Sequence, residues 1–231
     1  MMVPVGALAD AAGTVSQLAG VLTAQKVSGN VKILGVRSGI ETGDLLSTSA
    51  NTYARIKFSD GGELTLRPNT RIRIDDYRFD QAKPQEDNAF FSLIKGGLRA
   101  VTGLVGKRNG LSSYRMATPT ATIGIRGTHY GVLYCRQDDS ECDDYRTNRG
   151  ESPLDGLHLD VVDGRIIVNN AAGSQELAAG QYGFVGINQA PVIVPETTGV
   201  PISIENKVNT PAENVLGTQP NQQDFECTVG S

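Results

Sequence analysis

The residues of this chain that could do chemistry are few, and they gather around two cysteines. Cys135 and Cys142 flank the short acidic segment Arg-Gln-Asp-Asp-Ser-Glu. In an oxidising compartment this spacing predicts a disulfide that closes a small loop and contributes about 2–3 kcal/mol to the free energy of unfolding. In a reducing compartment the same residues would be two thiols. The third cysteine, Cys227, has no evident partner in the sequence.

The acidic residues of this loop form a candidate calcium site. Carboxylates supply the oxygen ligands that calcium prefers, and the disulfide would close the loop around them. The candidate ligands are Asp138, Asp139, Glu141, Asp143 and Asp144. The loop lacks the glycine and the alternating ligand spacing of an EF-hand, so a solvated acidic loop is the alternative interpretation.

Other patterns of catalysis and metal binding do not occur. Histidine is found only at positions 129 and 158, which does not fit the closely spaced ligands of a zinc site. No Gly-x-Ser-x-Gly motif is present, and Gly103–Lys107 lacks the residues of a phosphate-binding loop. An enzyme acting on an envelope glycan is an alternative, but a chain without Trp offers few aromatic platforms for sugars. We therefore predict no catalytic residues, no cofactor and no resident metal.

Composition favours a β-rich protein and argues against a nucleic-acid partner. The 231 residues include 27 glycines and 10 prolines, which is typical of strands joined by many turns. The net charge of −4 is not that of a nucleic-acid-binding protein. Residues 55–126 nevertheless carry 13 basic and 7 acidic side chains. This asymmetry indicates solvated outer strand faces, with a self-association surface or an anionic ligand site as alternatives.

The N-terminus has features of a signal peptide. Ala7-Leu8-Ala9 has the small-x-small form of a cleavage site, and Val3–Ala9 resembles the end of an apolar core. Because no basic residue precedes this core, residues 1–12 are interpreted as a shortened signal peptide or, alternatively, a disordered terminus. No run approaches 18 apolar residues, so no transmembrane segment is predicted.

Alternating apolar and polar residues predict short strands throughout residues 13–187. In the clearest case the alternation of 53–58 is followed by the turn sequence Ser-Asp-Gly-Gly and resumes in 63–66. The same pattern around Asp163-Gly164 predicts a second hairpin. Strands at intervals of roughly 8–15 residues predict an all-β fold, either a sandwich or a short solenoid.

Three further segments receive predictions from local pattern. Val15–Leu22 and Asp87–Ile94 are candidate short helices. Residues 188–231 are rich in Pro, Asn and Gln, which predicts an irregular extension with a disordered end. Within this extension, Val192–Val194 is expected to add to a sheet edge.

The most specific pattern is a threonine-rich run of eleven residues. Its β-branched side chains predict a pleated strand, and its two glycines allow a bulge or a close backbone approach. The run consists of Thr118, Pro119, Thr120, Ala121, Thr122, Ile123, Gly124, Ile125, Arg126, Gly127 and Thr128.

This run resembles part of the FecR-type domain, and four other segments of the chain share the resemblance. They are Gly43-Asp44-Leu45-Leu46, residues 54–66, Gly96-Gly97-Leu98-Arg99 and Val162-Asp163-Gly164. That domain is a periplasmic sensor module first named for iron-dicitrate regulation. The resemblance implies an exported all-β domain without catalytic residues. Regulatory members place it behind an anti-sigma segment and a membrane helix. Neither is found in this sequence, so we expect a stand-alone form.

The resemblance implies a binding, scaffold or sensing module at the bacterial cell envelope, either periplasmic or secreted. The expected partner is a protein or an envelope polymer, and self-association into a homo-oligomer is a further option. A regulator of siderophore or iron-uptake signalling is the alternative function. Because β-rich modules bind through edges and loops, residues 78–89 and 136–156 are the expected contact regions.

Overall fold

The computed structural model describes residues 11–108, 112–136 and 142–202, which are dominated by β-strands. The fold is all-β, as the sequence predicted. The disordered end predicted for the C-terminal extension lies outside the described residues, as does most of the predicted signal-peptide segment.

The strands are β1 (Gly13–Ala19), β2 (Leu22–Gln25), β3 (Val31–Leu34), β4 (Gly39–Ile40), β5 (Leu45–Thr48), β6 (Tyr53–Phe58), β7 (Glu63–Leu66), β8 (Arg71–Arg78), β9 (Asn88–Val101), β10 (Tyr114–Ala117), β11 (Thr122–Cys135), β12 (Gly156–Asn170), β13 (Gly173–Ala178), β14 (Tyr182–Val185) and β15 (Val192–Val194). A short helix, α1, spans Leu104–Arg108, and 3₁₀ turns occupy Pro84–Glu86 and Glu196–Thr198.

The long strands β9, β11 and β12 each change neighbours along their length. The first part of β9 pairs with β8 and β10, whereas its second part pairs with β7 and β11. Likewise β12 pairs with β14 near its start and with β13 near its end. These three strands therefore connect two parts of one hydrogen-bonded sheet.

We term these parts the front half and the back half. The front half contains β2, β3, β5, β8, β10 and β13, with residues 88–95, 122–126 and 165–170. The back half contains β1, β4, β6, β7, β14 and β15, with residues 96–101, 129–135 and 156–163.

Side chains from both halves meet in one apolar core. Leu46 and Ile72 of the front half and Ile56 and Leu159 of the back half are buried in the same cluster. The pairing of β9 with β10 is parallel, and the other pairings within the described ranges are antiparallel. Two halves of mainly antiparallel strands therefore enclose a shared core. This arrangement indicates a folded-over sheet of the sandwich type rather than a solenoid of stacked repeats.

The period-two pattern of residues 53–66 is confirmed by β6 and β7. Ala54, Ile56 and Phe58 are buried, whereas Lys57 is exposed. The two helix predictions are wrong. Val15–Leu22 lies largely in β1 and Asp87–Ile94 largely in β9, because pairing with β6 and β8 overrides the weak local helical pattern.

The hairpin predicted at Asp163-Gly164 is also wrong, because β12 continues through it. Gly164 has a φ of 76° and lies next to Gly127, which has a φ of 59° in β11. The register slips between Arg126 and His129, so the bulge predicted in the threonine-rich run is present. The two positive-φ glycines turn both strands from one half into the other without reversing the chain.

The bend requires left-handed backbone at both glycines and, at Gly164, the absence of a side chain. Alanine substitutions should separate these two requirements. A methyl group at Gly164 would collide with the carbonyl oxygen of Gly127, whereas one at Gly127 would meet only Lys107 Cγ at 3.5 Å. We expect Gly127→Ala to lower the free energy of unfolding by roughly 1–2 kcal/mol, the cost of left-handed backbone, and Gly164→Ala to lower it by more.

Urea unfolding of the purified variants measures these losses. Gly180→Ala is the control, because Gly180 has a φ of 81° and an added methyl group there meets open space. Equal losses at Gly164 and Gly180 would contradict the role of close backbone packing.

Candidate functional site

The predicted disulfide is confirmed and lies at the end of β11. Cys135 and Cys142 are joined, with their Cα atoms 5.7 Å apart. β11 carries Cys135 to the outer face of the back half, where the disulfide is buried. The bond therefore anchors the loop that follows β11 to the sheet.

A second apolar core surrounds this disulfide. It is separate from the main core and lies on the outer face of the back half. Its members are Leu133, Cys135, Cys142, Tyr145, Val200 and Ile202. The guanidinium of Arg67 stacks over the ring of Tyr145 at 4.6 Å.

The last described residues, 199–202, form a segment that we term the strap. The Asn148 N–H donates a hydrogen bond to the Gly199 carbonyl at 2.9 Å. The Ile202 N–H donates to Asp160 Oδ2, also at 2.9 Å. Gly131 lies directly beneath Ile202, so a side chain at this position would displace the strap.

An apolar cavity of about 280 Å³ opens beside the second core, and we term it the groove. One wall is the loop before β12, and the other is formed by β14, β15 and the 3₁₀ turn that follows. Leu154 in this loop is 68% exposed. The lining residues are Thr147, Glu151, Ser152, Leu154, His158, Phe184, Val194 and Thr198.

His158 holds the loop against the floor of the groove. Its Nε2 lies 2.8 Å from the Leu154 carbonyl oxygen and its ring centroid 5.0 Å from that of Phe184. A carbonyl can only accept, so Nε2 carries the proton. Burial lowers the pKa of His158, and the bond to Leu154 opposes this in part. The imidazole is therefore neutral at pH 7.

The groove borders an open strand edge. Within the described part of the chain, β15 pairs only with β14. Val192 is 46% exposed and Ile193 is 42% exposed. An edge strand presents unpaired backbone N–H and C=O groups that an extended peptide can satisfy. The edge and the groove together form a surface suited to such a peptide.

The threonine-rich run does not line the groove. Its hydrogen bonds stabilise a turn and the bend in β11. Thr118 closes a turn by exchanging hydrogen bonds with Ala121. The Thr128 N–H donates to Thr102 Oγ1 at 2.8 Å, next to the bend at Gly127. These contacts shape the start of β11 and its crossing between the halves.

The calcium site stays a prediction. Asp138, Asp139 and Glu141 lie outside the described residues, and the remaining candidates Asp143 and Asp144 are exposed beside the disulfide. Across residues 11–108, 112–136 and 142–202, no group of three or more His, Cys, Asp or Glu side chains is placed to hold a metal ion.

Both expected contact regions border cavities. Residues 78–89 supply Phe79, Asp80 and Glu86 to a cavity of about 600 Å³ near the start of β1. Residues 136–156 supply half of the groove. Sequence reasoning missed His158, Phe184 and the strap as parts of this surface. The local pattern at Val192–Val194 did indicate the edge strand.

The sequence matches one protein family over part of its length. Residues 44–152 match the family model described as FecR protein. The matched range begins just before β5 and includes the threonine-rich run and the disulfide. No curated protein matches the chain. No helix in the described ranges is long and apolar enough to cross a membrane.

Two crystal structures of a candidate anti-sigma factor from Parabacteroides distasonis are similar to part of this chain. They are 14% and 13% identical to it, each with a TM-score of 0.46. The similarity covers 66% of this chain and 59% of the other protein. The chain therefore spans less than two thirds of that protein's length.

Removal of the disulfide should lower stability only when the cysteines are oxidised. We expect the double variant Cys135→Ser/Cys142→Ser to lose about 2–3 kcal/mol of unfolding free energy relative to the oxidised protein. Denaturant unfolding with and without reductant measures this loss. Reductant should bring the parent protein close to the variant and leave the variant unchanged. A loss of equal size in both conditions would contradict the assignment.

The stability of the fold should decrease as pH falls below about 6.5, the ordinary pKa of histidine. The unfolded chain binds a proton at His158 more readily than the folded chain, whose His158 pKa is lowered. His158→Gln keeps an N–H donor but cannot titrate, so its melting temperature should fall less between pH 7 and pH 5. His129→Gln is the comparison variant: the pKa of His129 is also lowered, so this variant should lose part of the pH dependence too, but less than His158→Gln, because His129 is less buried. Identical slopes for the parent and His158→Gln would exclude this role.

Proposed function

We propose that the protein, whose residues 44–152 match the FecR family model, is a binding and sensing module of the bacterial cell envelope rather than an enzyme. The observation that carries this proposal is the apolar groove beside the open edge of β15. The match to the FecR family, whose domains are typically periplasmic, supports a location at the envelope. The buried disulfide fits this setting, since such bonds persist in oxidising compartments. The proposed location is the periplasm or the exterior.

The geometry of the groove favours an extended protein segment as the partner. Main-chain groups of such a segment can pair with β15, and its alternate side chains can enter pockets beside the edge. Val194 lies both on the edge strand and in the groove wall. One bound strand would therefore use backbone pairing and apolar burial together. Leu154, on the opposite wall, would be covered by the same strand.

The environment of His158 supports binding over catalysis. Its Nε2 proton is held by a backbone carbonyl, and its ring packs against Phe184. A general base must instead approach a substrate proton within hydrogen-bond distance. His158 acts as a structural group that sets the position of Leu154. Regulation through a sigma-factor system is a second candidate function, favoured by the FecR match alone.

Site-specific photocrosslinking in the native host tests this function. A photoreactive residue at Leu154 should capture a distinct protein partner, whereas one at Ile33 should not. Ile33 is a matched control because it is exposed on β3, which pairs only with β2 among the described strands. A Val194→Lys substitution should abolish the crosslink from position 154, since it places a charge in the groove wall.

The alternative outcomes are informative. Crosslinks from position 154 to a second copy of this chain would indicate self-association as the function of the surface. The same products from positions 154 and 33, or products that persist with Val194→Lys, would contradict the groove as the binding site.

A further inference from the structure

Two arginines lie in one cross-strand row on the outer face of the back half. Arg55 of β6 is opposite Thr65 of β7, and Thr65 is opposite Arg99 of β9. One strand separates the two arginines, so their Cα atoms are about 10 Å apart. Both side chains are half-buried, and Thr65 between them is short and 8% exposed. The row therefore places a short side chain between two that carry guanidinium groups.

Neither guanidinium has a carboxylate within 4.0 Å in the part of the chain that the structure describes. Arg55 Nε is buried there without a hydrogen-bond partner. Arg99 contacts the imidazole of His129, with Nη2 3.1 Å from Nδ1. Burial lowers the pKa of Arg99, Asp160 opposes this, and the positive charge of Arg55 lowers it further. The two positive charges are therefore close enough to interact.

Several other arginines in the described ranges instead have a carboxylate or an aromatic ring as partner. Arg165 forms an ion pair with Glu176 at 2.9 Å, and Arg73 pairs with Asp75. Arg115 stacks over the ring of Phe90 at 4.2 Å. A buried guanidinium donor without an acceptor costs free energy, and two like charges in one row cost more.

The other charged groups on this face leave the surroundings of the two arginines positive. Asp160 is the next charged residue in the row beyond Gly131, but it is 6% exposed and accepts a hydrogen bond from the strap. Glu63 lies opposite Lys57 in the adjacent row. Arg67, two residues after Thr65, adds a third guanidinium on the same face.

We propose that Arg55, Arg99 and the hydroxyl of Thr65 form a binding site for an oxyanion, either a phosphate or a carboxylate group of a ligand. Guanidinium groups donate paired N–H bonds that match the oxygens of both groups, and such charge-assisted bonds are strong. A bound oxyanion would accept from the guanidinium N–H groups of both arginines and neutralise the repulsion between them. This site is separate from the groove, which lies at the other side of the strap.

NMR of arginine Nε–H groups in the folded protein tests the proposal. Inorganic phosphate and succinate are titrated separately at constant ionic strength, so that general salt effects are held fixed. We expect saturable shifts of the Arg55 and Arg99 signals with at least one of the two anions. The anion that binds more tightly shows whether the site favours phosphate or carboxylate.

Substitutions supply the second readout. Arg55→Gln and Arg99→Gln should each weaken binding about tenfold or more, as expected for loss of a charge-assisted bond. Arg71→Gln, in an exposed arginine of the front half, should leave binding unchanged. Without anion, Arg55→Gln should melt at the same temperature as the parent or higher, because a like-charge contact is removed.

Three results would overturn the site. These are shifts that do not saturate with either anion, equal shifts at Arg71 and Arg55, and undiminished binding in both glutamine variants. If a variant fails to fold, the signals of the parent protein alone decide between these results and the proposal.

Discussion

The sheet depends on one backbone constraint, the place where β11 and β12 pass together from one half to the other. The two strands stay paired on both sides of this point, so they must bend at the same level. Positive φ angles at Gly127 and Gly164 make the bend possible, and the contact between the two backbones leaves no room for a side chain at Gly164. The shared core exists because these strands deliver residues to both of its sides.

The outer face of the back half follows from the same geometry. After the bend, β11 and β12 run side by side and place Gly131 next to Asp160. The strap uses the space above this glycine, and Asp160 holds it by accepting from the Ile202 N–H. The second core, the groove and the arginine row are thus neighbours on one surface. The second core and the groove are built on β11 and β12, and the arginine row lies on β6, β7 and β9, of which β9 pairs with β11 after the bend.

The sequence correctly predicted the parts of the structure that depend on local pattern. Alternation identified Ile56 and Phe58 as buried, turn composition placed the β6–β7 turn, and the spacing of Cys135 and Cys142 indicated their disulfide. The prediction from local pattern was wrong at Gly164, because a glycine with positive φ can serve either of two structures. Asp163-Gly164 has the composition of a hairpin turn, but a positive φ also serves a bend within a continuous strand.

The candidate sites depended on register, which a single sequence does not reveal. Alternation assigned Arg55 to an outer face, but its proximity to Arg99 follows only from the pairing of β7 with both β6 and β9. Basic residues close to Arg99 in sequence do not join this pair. Arg108, for example, packs over the ring of Phe79. The groove similarly joins residues separated by more than forty positions along the chain, such as Thr147 and Val194. Contacts between distant segments are set by tertiary packing rather than by propensity.

The position of the strap determines when the second core can form during synthesis of the chain. The second core combines Leu133 and Tyr145 with Val200 and Ile202, which are made some sixty residues later. During synthesis, the disulfide partners emerge well before the residues that cover them. A chain cut short before residue 200 would keep its main core but leave Leu133 and Tyr145 open to water. Such exposed apolar surface promotes aggregation, so truncation before residue 200 would reduce the yield of soluble protein even where the sheet itself has formed.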